Sequence, residues 1–325
     1  MTKTVSPEEA AELLKQADHI LLLAHQYPDG DTVGCNFALC RALQKLGKTV
    51  RIECQDKIPE RFGYMAEGMT MPAFEPQFIC ALDVADAHLL GPDMDAAYGS
   101  RVDLCIDHHP TNTGYAARTC VDPSCGAAAM ILYRIIKLLG VDFDTPMAQC
   151  LYTGIATDTG CFKYSNATPL AHRIAADLLD YGVNYEMINR VNFDMKSRAR
   201  IELERLALAG MTFLYEGRLA IMVISNNMVA ESGAKENDME GLPPIPRQIE
   251  GVWVGVTLRQ KKDGNYKISV RTGTHADASL ICAQLGGGGH NRAAGCAVDG
   301  TLEEARAAII DAVEKNVPAI VTGHT

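Results

Sequence analysis

Four short segments of the chain bring carboxylates and imidazoles to the ends of apolar runs. AHQYPDGDTVG carries His25, Asp29 and Asp31; ALDVADAH carries Asp83 and Asp86; LCIDHHPTN carries Asp107, His108 and His109; TGIATDTGCF carries Asp158. Taken singly, each has an ordinary structural reading. Asp29-Gly30-Asp31 reads as a turn in which Asp31 caps a helix, Asp83 as a cap, His108 as a satisfied histidine and Asp158 as a turn residue. Taken together they share one placement, and four carboxylates crowded without cations would repel. Divalent metals resolve that conflict. Carboxylate and imidazole donors without thiolates suit Mn²⁺, Mg²⁺ or Fe²⁺ better than structural zinc. Two ions about 3.5–4 Å apart need a bridging carboxylate with ligands on either side. Six residues serve that need: His25 and Asp29 for one ion, Asp31, His108 and Asp158 for the other, and Asp83 between them. Such a pair lowers the pKa of a shared water and stabilises in-line displacement at phosphorus. Neighbouring strand residues point to opposite faces. His108 is therefore expected on metal, and His109 to point elsewhere, toward a substrate phosphate or the leaving oxygen. Asp107 is expected to orient an imidazole from behind.

A second group lies near the C-terminus. LGGGGHNRAAGC runs from Leu285 to Cys296. Consecutive N–H groups without Cβ atoms can form an anion nest. A helix beginning near Asn291 would point its N-terminus at the same place. Gly288, Gly289 and His290 are the candidate contacts, with Arg271 of KISVRTG as a bidentate phosphate clamp. The alternative is a plain flexible turn. No GK[ST] follows the glycines, so this is not a P-loop.

Positioning the first group requires strands that end together. Apolar runs at 19–24, 49–54, 78–82, 102–106 and 118–121 alternate with helical patterns at about 31–46, 126–139 and 145–156, with another beginning at Thr168-Pro169. This alternation predicts an α/β unit with a mostly parallel sheet flanked by helices. Ligand sites in such sheets lie beyond the carboxyl ends of the strands. The predicted division is a catalytic domain at 1–185, an exposed helical linker at 186–212 and a smaller α/β substrate-binding domain at 213–325. In the last, strands are expected at 219–225, 251–258 and 266–272, with a hairpin at Asp263-Gly264 and a helix near 301–315. The polar stretch at about 226–250 is expected to be a mobile loop with a short helix.

Composition narrows the function. The formal net charge is −10 over 325 residues. Long duplex nucleic acid, which is held by many phosphate contacts, is an improbable partner for such a surface. A small anion gripped by a few local cations is compatible with it. The eleven cysteines are odd in number and include no CxxC pair. They read as buried thiols of a cytoplasmic protein rather than a disulfide frame. No apolar run is long enough for a membrane span, and the N-terminus lacks a signal-peptide pattern.

HxxPDGDxxG, the aspartate after FICAL, DHH, TDTG and GGGGHxxAAG occur in that order, over about residues 15–316. Together they resemble the DHH/DHHA1 phosphoesterases. The resemblance implies metal ligands at His25, Asp29, Asp31, Asp83, His108 and Asp158, and substrate contacts at Arg271, Gly288, Gly289 and His290. It implies two divalent ions, Mn²⁺ foremost, with Mg²⁺ or Co²⁺ as substitutes. Chain length and motif I are similar to the stand-alone bacterial members. Those degrade short single-stranded RNA to 5′-mononucleotides and dephosphorylate 3′-phosphoadenosine 5′-phosphate (pAp). Hydrolysis of cyclic di-AMP or pApA is the rival activity in the same fold, and a catalytically silent nucleotide binder is a remoter one. A homodimer is a possible assembly. Two positions depart from the family pattern: Gly34-Cys35 replaces Gly-Ser, and Met130 stands where a glutamate is common.

Overall fold

The computed structural model describes residues 2–239 and 241–322. The chain divides into two compact units, Met1–Met195 and Lys196–Thr325, so the division falls inside the stretch 186–212.

The first unit is built on strands β1 (Lys3–Thr4), β2 (Ile20–Leu23), β3 (Val50–Glu53), β4 (Phe78–Leu82), β5 (Leu104–Asp107) and β6 (Arg118–Val121). Its helices are α1 (Pro7–Gln16), α2 (Gly30–Lys45), α3 (Pro92–Tyr98), α4 (Ala128–Leu139), α5 (Thr145–Asp158), α6 (Pro169–Leu179) and α7 (Tyr185–Asn189). The strand order is β1-β6-β5-β4-β2-β3, and every pairing is parallel. Both faces are covered, which is why these strands read as unbroken apolar runs. Ile20, Leu22, Cys80, Leu82, Leu104 and Ile106 pack on the side of α1, α2, α4 and α5. Leu21, Leu23, Ile79, Ala81 and Cys105 pack on the other. β3 lies on one side of β2 and β4 on the other, so the winding reverses at β2. Loops leaving β2 and β4 flank that switch point, the usual ligand crevice of an open α/β sheet.

Local signals set the helix ends. Ser6 and Glu9 form a capping box with Pro7 at the first turn of α1. Gly140 ends α4 at φ +76°. Asp29, not Asp31, caps α2, through N–H groups of Asp31 and Thr32 at 3.0 and 3.1 Å. A Cβ on Gly34 would strike the Cys150 carbonyl oxygen, so glycine is what lets α2 and α5 approach.

The second unit carries α8 (Arg198–Ala209), β7 (Thr212–Leu214), β8 (Leu219–Ile224), α9 (Asn226–Ser232), β9 (Val254–Gln260), β10 (Tyr266–Thr272), α10 (Ala278–Ala283), β11 (Gly288–His290), β12 (Ala293–Val298), α11 (Leu302–Asn316) and α12 (Pro318–Thr322). Its mixed sheet runs β11-β12-β10-β9-β8-β7, with β8 and β9 parallel and the rest antiparallel. α8 is not a bare connector; it buries Leu203 and Ala207 against Met222 and Ile224. The stretch 226–250 is not a loose loop either. Two 3₁₀ turns in it bury Met239 and pack Leu242 and Ile245 into the same cluster. The glycine run also differs from expectation. No helix begins at Asn291; β11 and β12 form a hairpin, with Gly289 opposite Ala294 and His290 opposite Ala293. A Cβ on Gly289 would lie 2.6 Å from the Ala293 carbonyl oxygen, and its φ is +145°. The glycines thus serve close strand pairing. All eleven cysteines are unpaired. Among the described residues no helix is long and apolar enough to cross a membrane.

Candidate active site

Every acidic and histidine segment singled out above ends at the carboxyl edge of the first sheet. β2 leads into His25 and, through the cap of α2, into Asp29 and Asp31. β4 ends one residue before Asp83, β5 ends at Asp107, and α5 ends at Asp158.

Asp83 sits at the centre. Its backbone is left-handed at φ +62°, a strained state for a residue with a Cβ, and its side chain is only 3% exposed. Oδ2 faces His25 Nε2 at 3.9 Å, and His25 Nε2 lies 3.6 Å from Asp29 Oδ1. Oδ1 faces His108 Nε2 and His109 Nδ1, each at 3.6 Å. His108 Nε2 is also 3.2 Å from Asp158 Oδ2. Donor atoms in three sets, Asp83–His108–His109, His25–Asp29–Asp83 and Asp31–His108–Asp158, lie within 4.8 Å of one another. A cavity of about 270 Å³ opens onto them, lined by His25, Tyr27, Asp29, Asp83, Leu89, His109 and Asp158.

The two adjacent histidines do not diverge as strand alternation predicts. β5 stops at Asp107, so His108 and His109 lie in the turn, and their ring centroids are 4.4 Å apart. Asp107 fixes that turn. Its Oδ1 accepts from the backbone N–H groups of His108 and His109 and from His109 Nδ1 at 2.7 Å. Asn112 donates to its Oδ2 at 2.7 Å. The carboxylate therefore orients His109 rather than His108, and leaves His109 Nε2 free of it. His108 is held instead by its Nδ1 donating to the Cys125 carbonyl at 3.2 Å, which turns Nε2 toward the carboxylates.

Asp31 is wholly buried. Its oxygens accept from the N–H groups of Ala128 and Ala129, at 2.6 and 3.0 Å, at the start of α4. The residue thus anchors a helix N-terminus while it faces the cluster. Cys35 donates its S–H to Asp31 Oδ1 at 3.4 Å, so the cysteine keeps a hydrogen bond at this family departure. Met130 packs in the main apolar core. Sequence reasoning missed Gly154, whose absent Cβ would lie 2.6 Å from Asp31 Oδ1. It missed Asn112 and the two alanine N–H groups as well. The asparagine stands inside the LCIDHHPTN segment; backbone donors from α4 leave no signal in sequence.

The cluster is electrostatically unsettled as a bare set of side chains. Burial, with the Asp158 charge added, raises Asp31 to about 7. Burial and the charges of Asp31 and Asp29 hold Asp83 well above the carboxylate range. Burial also raises Asp158, against the pull of His108. Burial opposes protonation of His108, yet Asp158 and Asp31 draw its pKa up to about 9. Asp83 Oδ1 and His108 Nε2 are buried without a hydrogen-bond partner. Hard oxygen and imidazole donors, crowded and unsatisfied, fit divalent cations.

In the second unit, Arg271, Ala293 and His290 stand in one register row across β10, β12 and β11. Directly paired residues share a face, so Arg271 and His290 project from the same side of the sheet. Among the described residues the Arg271 guanidinium bonds the Val270 carbonyl, at 3.0 Å, and no other group.

Comparison with known proteins gives this architecture a class. The model of the DHH family, N-terminal domain, matches residues 19–155, and that of the DHHA1 domain matches 217–317. The chain belongs to the DHH family and is a phosphoesterase, a hydrolase of phosphoric ester bonds. Among its relatives is the bifunctional oligoribonuclease and PAP phosphatase NrnA of Thermus thermophilus. It is 33% identical over 314 residues, covering 94% of this chain and 93% of that one. The crystal structure of an exopolyphosphatase-related protein from Bacteroides fragilis matches with a TM-score of 0.87 at 25% identity, over 97% of each chain. RecJ from Thermus thermophilus, crystallised with Mn²⁺, matches with a TM-score of 0.55 at 17% identity, over 95% of this chain and 54% of that one. The last likeness is one of fold.

Proposed function

We propose that this chain hydrolyses short oligoribonucleotides to 5′-mononucleotides and removes the 3′-phosphate of pAp, using two divalent ions, Mn²⁺ foremost. The observation that carries the reading is Asp83, whose two oxygens face two separate sets of donors while one of them has no hydrogen-bond partner. His25 and Asp29 would hold one ion, Asp31, His108 and Asp158 the other, with Asp83 shared. When bound, the pair would lower the pKa of an attacking water and neutralise charge developing on the phosphoryl oxygens.

The chain's own residues do the remaining work. Cys125 and Asp107 fix the tautomers of His108 and His109 by accepting from their Nδ1 atoms. His109 Nε2 is then available to the substrate, and when protonated it delivers a proton to the leaving oxygen. Arg271, Gly288, Gly289 and His290 are the substrate contacts of the second unit. The names of the relatives support the substrate class. The formal net charge of −10 supports a short substrate over long duplex.

The test is purified protein with Mn²⁺, offered pAp, an RNA series from dinucleotide upward, and cyclic di-AMP. Turnover of pAp and of the shortest RNAs, lost in Asp83→Ala/His108→Ala, is the expected result. Preference for cyclic di-AMP would transfer the chain to a cyclic-nucleotide role. Two equivalents of Mn²⁺ by calorimetry, against none in the double variant, would support the ion count independently of turnover.

A further inference from the structure

One face of the second sheet is left partly open. On the opposite face, Ile268, Val270, Ala294 and Cys296 pack against α10 and α11. On the open face, β8 and β9 are roofed by Met239, Leu242 and Ile245 of the 236–248 segment. β10, β12 and β11 are not roofed: Lys267, Ser269, Arg271, Ala293, Gly295, Ala297, Gly288 and His290 alternate as exposed or half-buried positions along them. The segment that forms the roof is pinned. Arg259 pairs Glu236 through both nitrogens, at 2.5 and 2.7 Å, and the Thr257 hydroxyl donates to the Pro243 carbonyl at 3.3 Å.

Arg247 stands at the edge of this roof. Gly255 pairs with Arg271 across β9 and β10, and a Cβ on Gly255 would lie 2.6 Å from the Arg247 backbone nitrogen. Arg247 therefore starts above the face from which Arg271 projects. Its guanidinium extends along that face, because a Cβ on Gly273 would lie 2.7 Å from its Nη2. Gly273 is two residues beyond Arg271, about 7 Å along an extended chain and on the same side. Among the described residues Arg247 has no ion pair or side-chain hydrogen bond, and its Nε is buried without a partner. Other arginines of the unit are engaged: half-buried Arg259 by Glu236, half-buried Arg218 by Glu216 and the Ile320 carbonyl, and exposed Arg292 by the Gly273 and Ala276 carbonyls. Two guanidiniums without carboxylate partners among the described residues, on the same face of one sheet of an acidic protein, can form an anion clamp.

Resting on the hydrolase reading above, we propose that Arg247 is a substrate-positioning residue that joins Arg271 in clamping a terminal phosphomonoester of the nucleotide, a phosphate other than the one hydrolysed. The clamp makes the enzyme select substrates that carry an end phosphate over those ending in a hydroxyl. A dianionic monoester satisfies both forks; a hydroxyl leaves the buried Nε unpaired.

The test compares pApA with ApA on the full chain with Mn²⁺, and measures 5′-AMP binding to metal-free protein by calorimetry. Wild type should favour pApA by about tenfold or more in kcat/KM. Arg247→Ala should collapse that ratio, mainly through KM, with Arg247→Lys intermediate. Gly273→Ala, which displaces the guanidinium without altering it, should follow Arg247→Ala while melting close to wild type. AMP affinity should fall in parallel by about tenfold. An unchanged pApA:ApA ratio or unchanged AMP affinity in Arg247→Ala overturns the proposal. Should wild type cleave neither dinucleotide, the oligoribonuclease reading fails, and the AMP isotherms alone decide for or against the clamp.

Discussion

In the first unit charge is concentrated and buried: Asp31, Asp83 and Asp107 are at most 3% exposed, in a group with Asp158 and three imidazoles. In the second unit the candidate charges are cations on an open sheet face, without acidic partners among the described residues. The first arrangement is costly as bare side chains and gains from a counter-charge that stays in place. The second costs little, because arginine stems lie along the sheet while their heads wait for an anion that comes and goes. Retention and exchange thus call for opposite burial. Removing a residue from each region should separate chemistry from grip.

The largest effect is expected at Asp83. Asp83→Ala should lower turnover of pAp by at least about 10³-fold, as loss of a group acting on the reacting phosphate does, and should abolish tight Mn²⁺ binding. Asp83→Asn should lose activity as fully, yet raise the melting temperature of metal-free protein at pH 8, since it removes a carboxyl whose ionisation burial and the neighbouring Asp31 and Asp29 charges oppose. A mutant that lost activity but kept two Mn²⁺ would break the comparison. Next comes Arg271→Ala, which should raise KM for pAp by about 10- to 100-fold and change kcat far less, with Mn²⁺ stoichiometry intact. A fall in kcat alone would mean that the second unit takes part in the chemistry.

The first region was far more legible in sequence than the second. FICAL at 78–82 and YKISVRT at 266–272 are strands over the very residues that pattern suggests. Parallel strands covered on both faces leave continuous apolar runs, and their carboxyl ends mark where polar side chains gather. The glycine run misled because four glycines carry no periodicity; only pairing with Ala293–Val298 reveals a strand. His109 misleads for another reason: β5 ends at Asp107, so strand alternation does not reach His108 and His109 beyond it. Arg247 carries no signal in sequence, since its meaning depends on the absent Cβ atoms of Gly255 on β9 and Gly273 just past β10. The connector at 186–212 read as polar because α8 buries only one narrow stripe.

A smaller effect, on stability alone, follows from Asp31. Its pKa is raised from 3.8 to about 7 in the folded chain. The folded state therefore binds this proton more tightly than the unfolded state does. Its contribution is fully present below pH about 4 and is lost as pH rises through about 7. Metal-free protein should melt several degrees lower at pH 8 than at pH 5, and Mn²⁺ should erase the difference. The candidate arginines of the second unit add no such slope, since they stay charged throughout. A metal-free melting curve flat between pH 5 and 8 would show that the buried cluster is not under strain.

The smallest effect tests how finely that cluster is tuned. Cys35 Sγ donates weakly to Asp31 Oδ1, and burial with the nearby Asp31 charge raises its own pKa well above the thiol range, so it remains a donor. A hydroxyl there is a stronger donor to the ionised carboxylate, and a bond to the charged form lowers a carboxyl pKa. In Cys35→Ser the pH at which metal-free stability falls should move down; in Cys35→Ala, where the donor is gone, it should move up. Turnover should change by no more than about fivefold in either, because the difference this one hydrogen bond makes is worth about 1 kcal/mol or less here. Opposite shifts in the two variants would tie the thiol to Asp31 itself. Shifts of the same sign would mean that packing of α2 against α5, not the hydrogen bond, sets the contribution of this residue.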